Sequence, residues 1–355
     1  MKILMVAPVT EGGIGTWLSY VCPILDKKHD LTLLTSDFSG VEISCTNKIQ
    51  FHAWKFPHSL FRYMPKLKNL LSEGFFDKFD IIHLNGFSVY PTYFILKNRK
   101  QIKSKIVLSV HGNLQEHKKK FLRIIYDKFT LKHIDKIDHV VAVSGAEKNQ
   151  LQKLGFPENK ITVGYNGVKP IKIERMETNN LVLYVGRLAP TKNVEILIES
   201  FSLCKTINSK LIIAGPDYGT MEELKKICKK LNLENRVSFL GEISETKKNH
   251  LLSIASVFIH PSLSDIFALT LLEAASAGVP CIAFNVGANK EIFSESNTGL
   301  IVDSVTPEAL ALSIDEILSN KQLAQEISLQ GQNHIINKFS WEKTCEKIEQ
   351  VYTNC

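Results

Sequence analysis

No apolar run in this chain approaches the roughly 20 residues that a bilayer-spanning helix needs, so no segment reads as one. The stretch Met1 to Val9 has the cationic start and apolar core of a signal peptide. Glu11-Gly12-Gly13, however, stands where a small-residue cleavage site belongs, so a first buried β-strand is the expectation. Cysteine is scarce: Cys22, Cys45, Cys204, Cys228, Cys281, Cys345 and Cys355 form no C-x-x-C pair and no cluster with histidine. That speaks against a disulfide framework and a zinc site, and a reducing cytoplasm is expected. No two aspartates stand two apart, so no D-x-D element is there to hold a divalent ion on a diphosphate. Neither the fingerprint G-x-G-x-x-G nor a G-K-[ST] P-loop occurs, and the missing fingerprint argues against a dehydrogenase.

What is present is a globular composition, 44% hydrophobic and 22% charged over 355 residues, a length that suits two domains. The charge is lopsided. Residues 1–175 carry 27 Lys and Arg against 15 Asp and Glu, a surplus of 12, and the remainder carries 16 against 21, a deficit of 5, together the net +7. A basic half suits nucleic acid, an anionic membrane surface or an anionic substrate. Nothing at motif level supports nucleic acid.

Short apolar runs alternate with segments of helical length, the pattern of parallel βαβ units. Ile3–Pro8, Leu31–Thr35, Ile81–Leu84, Ile106–Val110, His139–Val143 and Ile161–Gly164 form a first set of strands. After the polar stretch Lys169–Asn180 the rhythm restarts with Leu181–Val185, Lys210–Ala214, Val237–Leu240, Val257–His260, Cys281–Phe284 and Gly299–Ile301. Two doubly wound α/β domains therefore follow one another, and ligands of such sheets bind at the carboxyl ends of the strands.

Three segments at such ends carry candidate chemistry. Glu11-Gly12-Gly13-Ile14-Gly15-Thr16 precedes a helix, where glycines let a phosphate approach the backbone; a plain tight turn explains the same residues. In Val185-Gly186-Arg187-Leu188-Ala189-Pro190-Thr191-Lys192, the planar fork of Arg187 and the compact charge of Lys192 suit one diphosphate, with a solvated basic loop as the alternative. The third runs from His260-Pro261-Ser262-Leu263-Ser264-Asp265 through Ile266, Phe267, Ala268 and Leu269 to Glu273 and Gly278: strand, loop, helix and glycine stop. Asp265 and Glu273 lie roughly 12 Å apart along the axis if every step is helical, a span suited to one carboxylate on a sugar and one on a ribose. The competing explanation is that Asp265 or Ser264 only caps the helix. His111-Gly112, Ser144 and Asn166-Gly167 also follow strands; a lone histidine is commonly structural, and turn chemistry explains the other two.

In this order, the Gly12–Gly15 turn, His111-Gly112, Val143-Ser144, Asn166-Gly167-Val168, Gly186-Arg187 with Lys192, Ala214-Gly215, Phe239-Leu240-Gly241, Thr298-Gly299-Leu300 and Phe339-Ser340-Trp341 resemble glycosyltransferase family 4 over nearly the whole chain. The resemblance implies the GT-B fold, α/β, with two Rossmann-like doubly wound parallel-sheet domains facing a central cleft. Residues 1–170, completed by a helix over 340–355, would be the acceptor side, and residues 171–339 the nucleotide-sugar donor side. Arg187 and Lys192 would grip the donor diphosphate, and Glu273 the ribose. Asp265, first in the family's E-x7-E motif, would contact the transferred sugar. Gly13, Gly15 and the amides of Phe267, Ala268 and Leu269 would touch phosphate and sugar, with His111 beside the sugar and the backbone from Gly241 to Ile243 on the base. Three positions depart from the family. Asp265 is one methylene shorter than the usual Glu, and Ile266 and Ala268 stand where glycines are common, though a β-branched residue resists positive φ.

The implied activity is retaining transfer from a UDP- or GDP-type sugar donor, with no metal and no other cofactor, to a glycan or lipid-linked acceptor of polysaccharide biosynthesis. The basic first half suggests a cytoplasmic protein with peripheral contact to an anionic inner membrane face, through Trp54–Leu71 or His117–Lys132. Buried aromatic faces with solvated lysines explain those segments equally well. The departures keep two alternatives open: a non-catalytic sugar-nucleotide-binding subunit and a nucleotide-sugar epimerase.

Overall fold

Leu181–Val185 is buried at every position, as is Ile81–Asn85, the mark of strands covered on both faces in a parallel sheet. The computed structural model describes residues 1–37, 40–55, 62–87, 89–112, 128–176, 180–206 and 208–355. The chain divides into two units, Met1–Gly167 with Trp341–Cys355, and Val168–Ser340.

In the first unit, the strands are β1 (Lys2–Ala7), β2 (Asp30–Ser36), β3 (Asn47–Phe51), a small antiparallel hairpin of β4 (Trp54–Lys55) and β5 (Arg62–Tyr63), β6 (Ile81–Asn85), β7 (Lys105–Ser109), β8 (His139–Ala142) and β9 (Ile161–Val163). Its parallel sheet runs β3-β2-β1-β6-β7-β8-β9. The second unit has β10 (Leu181–Val185), β11 (Lys210–Ala214), β12 (Val237–Gly241), β13 (Val257–His260), β14 (Cys281–Phe284) and β15 (Leu300–Val302), in the order β12-β11-β10-β13-β14-β15. Both sheets therefore reverse direction of strand addition next to their first strand, at β1/β6 and at β10/β13. Such a switch point opens a crevice at the carboxyl ends of the strands. Each unit has its own core; in the second, Val182, Leu197, Phe201, Ile213, Ile259 and Phe284 interlock. Each such side chain stabilises the fold by about 1.5–3 kcal/mol.

The last helix, Trp341–Asn354, belongs to the first unit. Trp341 stacks on Tyr20 at 4.9 Å, Tyr352 Oη lies 2.6 Å from His83 Nδ1, and Glu349 takes Lys28 and His29 at 2.8 and 3.0 Å. Among the described residues no helix is long and apolar enough to cross a membrane. Of the two candidate membrane surfaces, Trp54 is 60% exposed, whereas Phe56, Phe61 and Lys118-Lys119-Lys120 lie outside the described residues.

Two local expectations are corrected. The strand β3 was not expected, because Asn47-Lys48-Ile49-Gln50-Phe51 has no apolar run; its pairing with β2 makes it a strand. The helix bearing Glu273 is Leu269–Ser276, with Ala268 at its N-cap and no side-chain cap, so neither Ser264 nor Asp265 caps it. Asp265 lies in the preceding loop, and the 12 Å estimate, which assumed continuous helix, does not apply. Four other described helices do carry side-chain caps: Ser144, Ser244, Thr306 and Asn320 accept from Glu147 N, Lys247 N, Ala309 N and Leu323 N.

Candidate active site

The second unit gathers ionised groups at the carboxyl ends of β10 and β13. Lys192 Nζ lies 2.5 Å from Asp265 Oδ2, and His260 Nε2 donates to the same oxygen at 2.9 Å. Among the described residues Asp265 Oδ1 has no partner. Burial works against charge on Asp265, but His260 and Lys192 outweigh it and hold its carboxyl well below the usual carboxylate range. Glu273 shows the same arrangement: its Oε2 takes Lys248 Nζ at 2.9 Å, and Oε1 is unengaged among the described residues. Here burial prevails over Lys248 and raises the Glu273 pKa above its ordinary value.

Arg187 has no acidic partner among the described residues; its guanidinium lies 5.4 Å from the ring centre of Tyr218. Its loop is fixed by backbone. Tyr184 Oη donates to Arg187 O at 2.9 Å, Leu188 N to Pro216 O at 2.9 Å, and Tyr218 N to Leu188 O at 2.8 Å. The strand ends are joined side by side, with Gly186 N donating to Ala214 O at 2.9 Å and Gly215 N to Gly241 O at 2.7 Å. A Cβ on Gly215 would stand 1.9 Å from Gly186 O, so only glycine permits that approach. Gly241 and Ile243 thus follow the same row of strand ends as Arg187.

The loop from Asp265 to Leu269 leads into a helix without a side-chain cap. Leu271 N turns back to Ala268 O at 3.1 Å, and among the described residues the N–H groups of Leu269 and Thr270 have no partner, an arrangement suited to an anion. Ile266 is not among the residues with positive φ, and Ala268 has φ −86°, so the loop accommodates both departures in ordinary backbone. Ile266, Phe267 and Ala268 are buried, and Phe267 packs 5.9 Å from Phe339. The left-handed conformation occurs nearby at Gly287 (φ +57°), where a Cβ would stand 1.7 Å from the carbonyl oxygen of Asp265.

In the first unit the cluster is neutral. The helix Gly12–Asp26 begins with no side-chain cap and no acid in its first turn. A Cβ on Gly13 would meet nothing within 4 Å, whereas one on Gly15 would stand 2.0 Å from Thr10 O. The open backbone is therefore at Gly13, and Gly15 is demanded by packing. His111, with φ +56°, places Nε2 2.9 Å from Asn85 Oδ1. Asn85 Nδ2 faces the carbonyls of Val6 and His83 at 3.4 Å, which requires the amide nitrogen there and its oxygen towards His111. Nε2 of His111 therefore carries the proton and Nδ1 the lone pair. Burial pushes the His111 pKa down to about 3. Trp17 packs edge-on against both His111 and His83, at 4.8 and 5.7 Å. Ser144 caps the helix Gly145–Lys153, whose Glu147 accepts from Val143 N at 2.7 Å and from Gly112 N at 3.4 Å; Asn166 is buried.

Lys192 and Asp265 thus meet, Arg187 lies five residues before Lys192 on the same turn, and Glu273 follows on the adjoining helix. Asn85, Glu147, Lys248 and Gly287 had no role in the sequence reading, and His260 was only the end of a strand. Asn85, Lys248 and Gly287 have partners 26, 25 and 22 residues away, beyond any local pattern. Glu147, by contrast, is bound locally, to Val143 N and below the Ser144 cap, and reaches Gly112 35 residues away only at 3.4 Å.

Comparison with known proteins gives the family. The model of Glycosyltransferase Family 4 matches residues 11–171, and that of Glycosyl transferases group 1 matches residues 168–334. An uncharacterized glycosyltransferase of Methanocaldococcus jannaschii is 28% identical over an alignment of 390 residues, covering 99% of this chain and 98% of that protein. A second from the same organism is 30% identical over 288 residues, covering 80% and 77%. Among solved structures, HepE of Anabaena in complex with UDP superposes with a TM-score of 0.82 over 100% of both chains at 18% identity, a likeness of fold. The chain belongs to glycosyltransferase family 4 and has its GT-B fold of two Rossmann-like parallel-sheet domains.

Proposed function

We propose that this glycosyltransferase moves a sugar from a UDP- or GDP-linked donor to a glycan or lipid-linked acceptor, with retention of anomeric configuration and with its own cations in place of a metal on the leaving group. The observation that carries this reading is the division of labour in the second unit. Among the described residues Arg187 has no acid to neutralise it, and Asp265 and Glu273 each keep one oxygen unengaged. A free guanidinium suits a diphosphate, and half-engaged carboxylates suit sugar and ribose hydroxyls. That HepE was crystallised with UDP supports a nucleotide donor for a chain of the same fold.

In the transfer, the bond from the anomeric carbon to the phosphate oxygen breaks as the acceptor oxygen bonds on the same face, through an oxocarbenium-like transition state. The nucleoside diphosphate leaves with the acceptor proton on its departing oxygen. Arg187 and Lys192 stabilise the charge that builds there. In the first unit His111 is neutral, and the lone pair on its Nδ1 can accept a hydrogen bond from a hydroxyl.

The test is thermal stabilisation by a panel of UDP and GDP sugars, with and without EDTA, in wild type and in Arg187→Ala. A donor at 100 times its Kd stabilises by about 2.7 kcal/mol. The expected shift survives EDTA and is lost in Arg187→Ala, where turnover falls by about 10²–10³-fold. Absence of a shift with every nucleotide overturns the reading, and a shift abolished by EDTA overturns metal independence. Retention is checked by the anomeric configuration of the product.

The basic surplus of residues 1–175 supports an anionic acceptor such as a lipid-linked sugar on a membrane face. Binding to liposomes should rise with anionic lipid and fall with salt; indifference to both rejects the membrane contact.

A further inference from the structure

His260 ends β13 with 3% exposure, and among the described residues its buried Nδ1 has no hydrogen-bond partner. Among the described residues the single polar contact of its imidazole is Nε2 to Asp265 Oδ2, the oxygen that also takes Lys192. Because a carboxylate only accepts, Nε2 must donate. A buried histidine that leaves one nitrogen orphaned while giving the other to a carboxylate needs an explanation, since an orphaned buried polar atom is unfavourable.

The surrounding backbone shows what would change on binding. Leu263 N and Ser262 Oγ both reach Thr191 O, at 3.0 and 3.1 Å, and Ser262 Oγ also contacts Ser264 O at 3.2 Å. The turn before Lys192 and the loop before Asp265 are therefore tied together without the Lys192–Asp265 pair. Lys192 can leave Asp265 for a diphosphate while the two segments stay joined. Asp265, a mostly buried carboxylate, would then lose one of its two partners.

We propose that His260 is the positioning residue of the donor-sugar site. It retains Oδ2 of Asp265 when the diphosphate draws Lys192 away, and so leaves Oδ1 to accept a hydroxyl of the transferred sugar. This rests on the nucleotide-sugar reading above and adds a residue to it. It also gives the shorter side chain at position 265 a physical role: aspartate places its carboxylate against the end of β13, within reach of His260.

The test compares His260→Leu, of similar bulk without a donor, with His260→Gln, which keeps an N–H donor. Affinities for UDP and UDP-glucose, and for GDP and GDP-mannose, are measured by titration calorimetry, together with the rate of sugar release from the donor without acceptor. Wild type identifies the nucleotide pair that binds. His260→Leu should keep the affinity for the bare nucleotide within about threefold, yet lose roughly ten- to hundredfold in sugar-nucleotide affinity and in sugar release, the scale of a hydrogen bond to a charged group. His260→Gln should recover most of that loss. Equal loss for nucleotide and sugar nucleotide makes His260 merely structural and overturns the proposal, as does an unchanged sugar nucleotide or a Gln variant no better than Leu. If His260→Leu does not fold, His260→Gln and His260→Asn carry the comparison, and failure of Gln to exceed Asn overturns it. Wild type that binds no nucleotide overturns the donor reading itself, a different result from a wild type that binds and a histidine that does not matter.

Discussion

The two units put their clusters at the same topological place, the switch point of a doubly wound sheet, and give them opposite electrostatics. At β1/β6 and the end of β7, burial pushes His83 and His111 down to about 3 and Glu147 up to about 7, so the groups tend to neutrality. At β10/β13 the groups are less enclosed, and Lys192, His260 and Lys248 stand against Asp265 and Glu273. The cations and the His260 hydrogen bond keep Asp265 ionised, while at Glu273 burial still raises the pKa. Desolvation alone removes charge; charge persists inside a protein where a partner is built beside it. The same fold therefore offers one end suited to hydroxyls and one suited to a diphosphate.

The largest effect that would break this contrast is expected in the ionic cluster, at a residue without charge. Gly287→Ala places a Cβ on the Asp265 carbonyl and requires a left-handed alanine, so the loop of Asp265 must move. The expected outcome is a loss of about 1–3 kcal/mol of stability. Sugar-nucleotide affinity should fall with it, more than affinity for the bare nucleotide. A variant that melts and binds as wild type would show that Gly287 does not support the loop.

In the neutral cluster the corresponding support is Asn85. Asn85→Leu keeps the bulk but removes the acceptor that holds the proton on His111 Nε2. Turnover should fall about three- to tenfold, the scale of one neutral hydrogen bond, with donor affinity unchanged. Asn85→Asp, which keeps an acceptor, should restore much of it. If the Leu variant turns over normally, the tautomer of His111 is immaterial.

Much of this was legible in the sequence because it is local. Leu181–Val185 is apolar throughout since both faces are covered, and the Arg187 turn and the Asp265 loop each follow such a run. The pairing of Lys192 with Asp265 spans 73 residues, and that of His111 with Asn85 spans 26, so the residues were visible but their partners were not. The hairpin of Trp54–Lys55 with Arg62–Tyr63 has two residues per strand and leaves no periodicity to detect. The loop at Ile266 and Ala268 posed a question about φ that composition could not answer; Gly287, an otherwise ordinary turn glycine, takes the left-handed backbone instead.

The smallest effect sharpens the contrast through pH. Glu147, fully buried, has its pKa raised from 4.5 to about 7 by desolvation, opposed by hydrogen bonds from Val143 N and Gly112 N. A raised carboxyl pKa means that the folded state holds its proton longer than the unfolded one. Its contribution is complete below about pH 4.5 and is lost as pH rises through about 7. His83 and His111, depressed to about 3, act the other way, destabilising the fold as pH falls below their ordinary value of 6.5. Wild type alone would show the two trends superimposed. The difference between Glu147→Gln and wild type isolates the carboxyl, because both chains share the histidines. That difference should move in favour of Gln by about 1 kcal/mol between pH 6 and pH 8, or about 2–4 °C in Tm. A difference that stays constant with pH would mean that Glu147 titrates as an ordinary carboxylate, and that the first unit tolerates charge beside His111 after all.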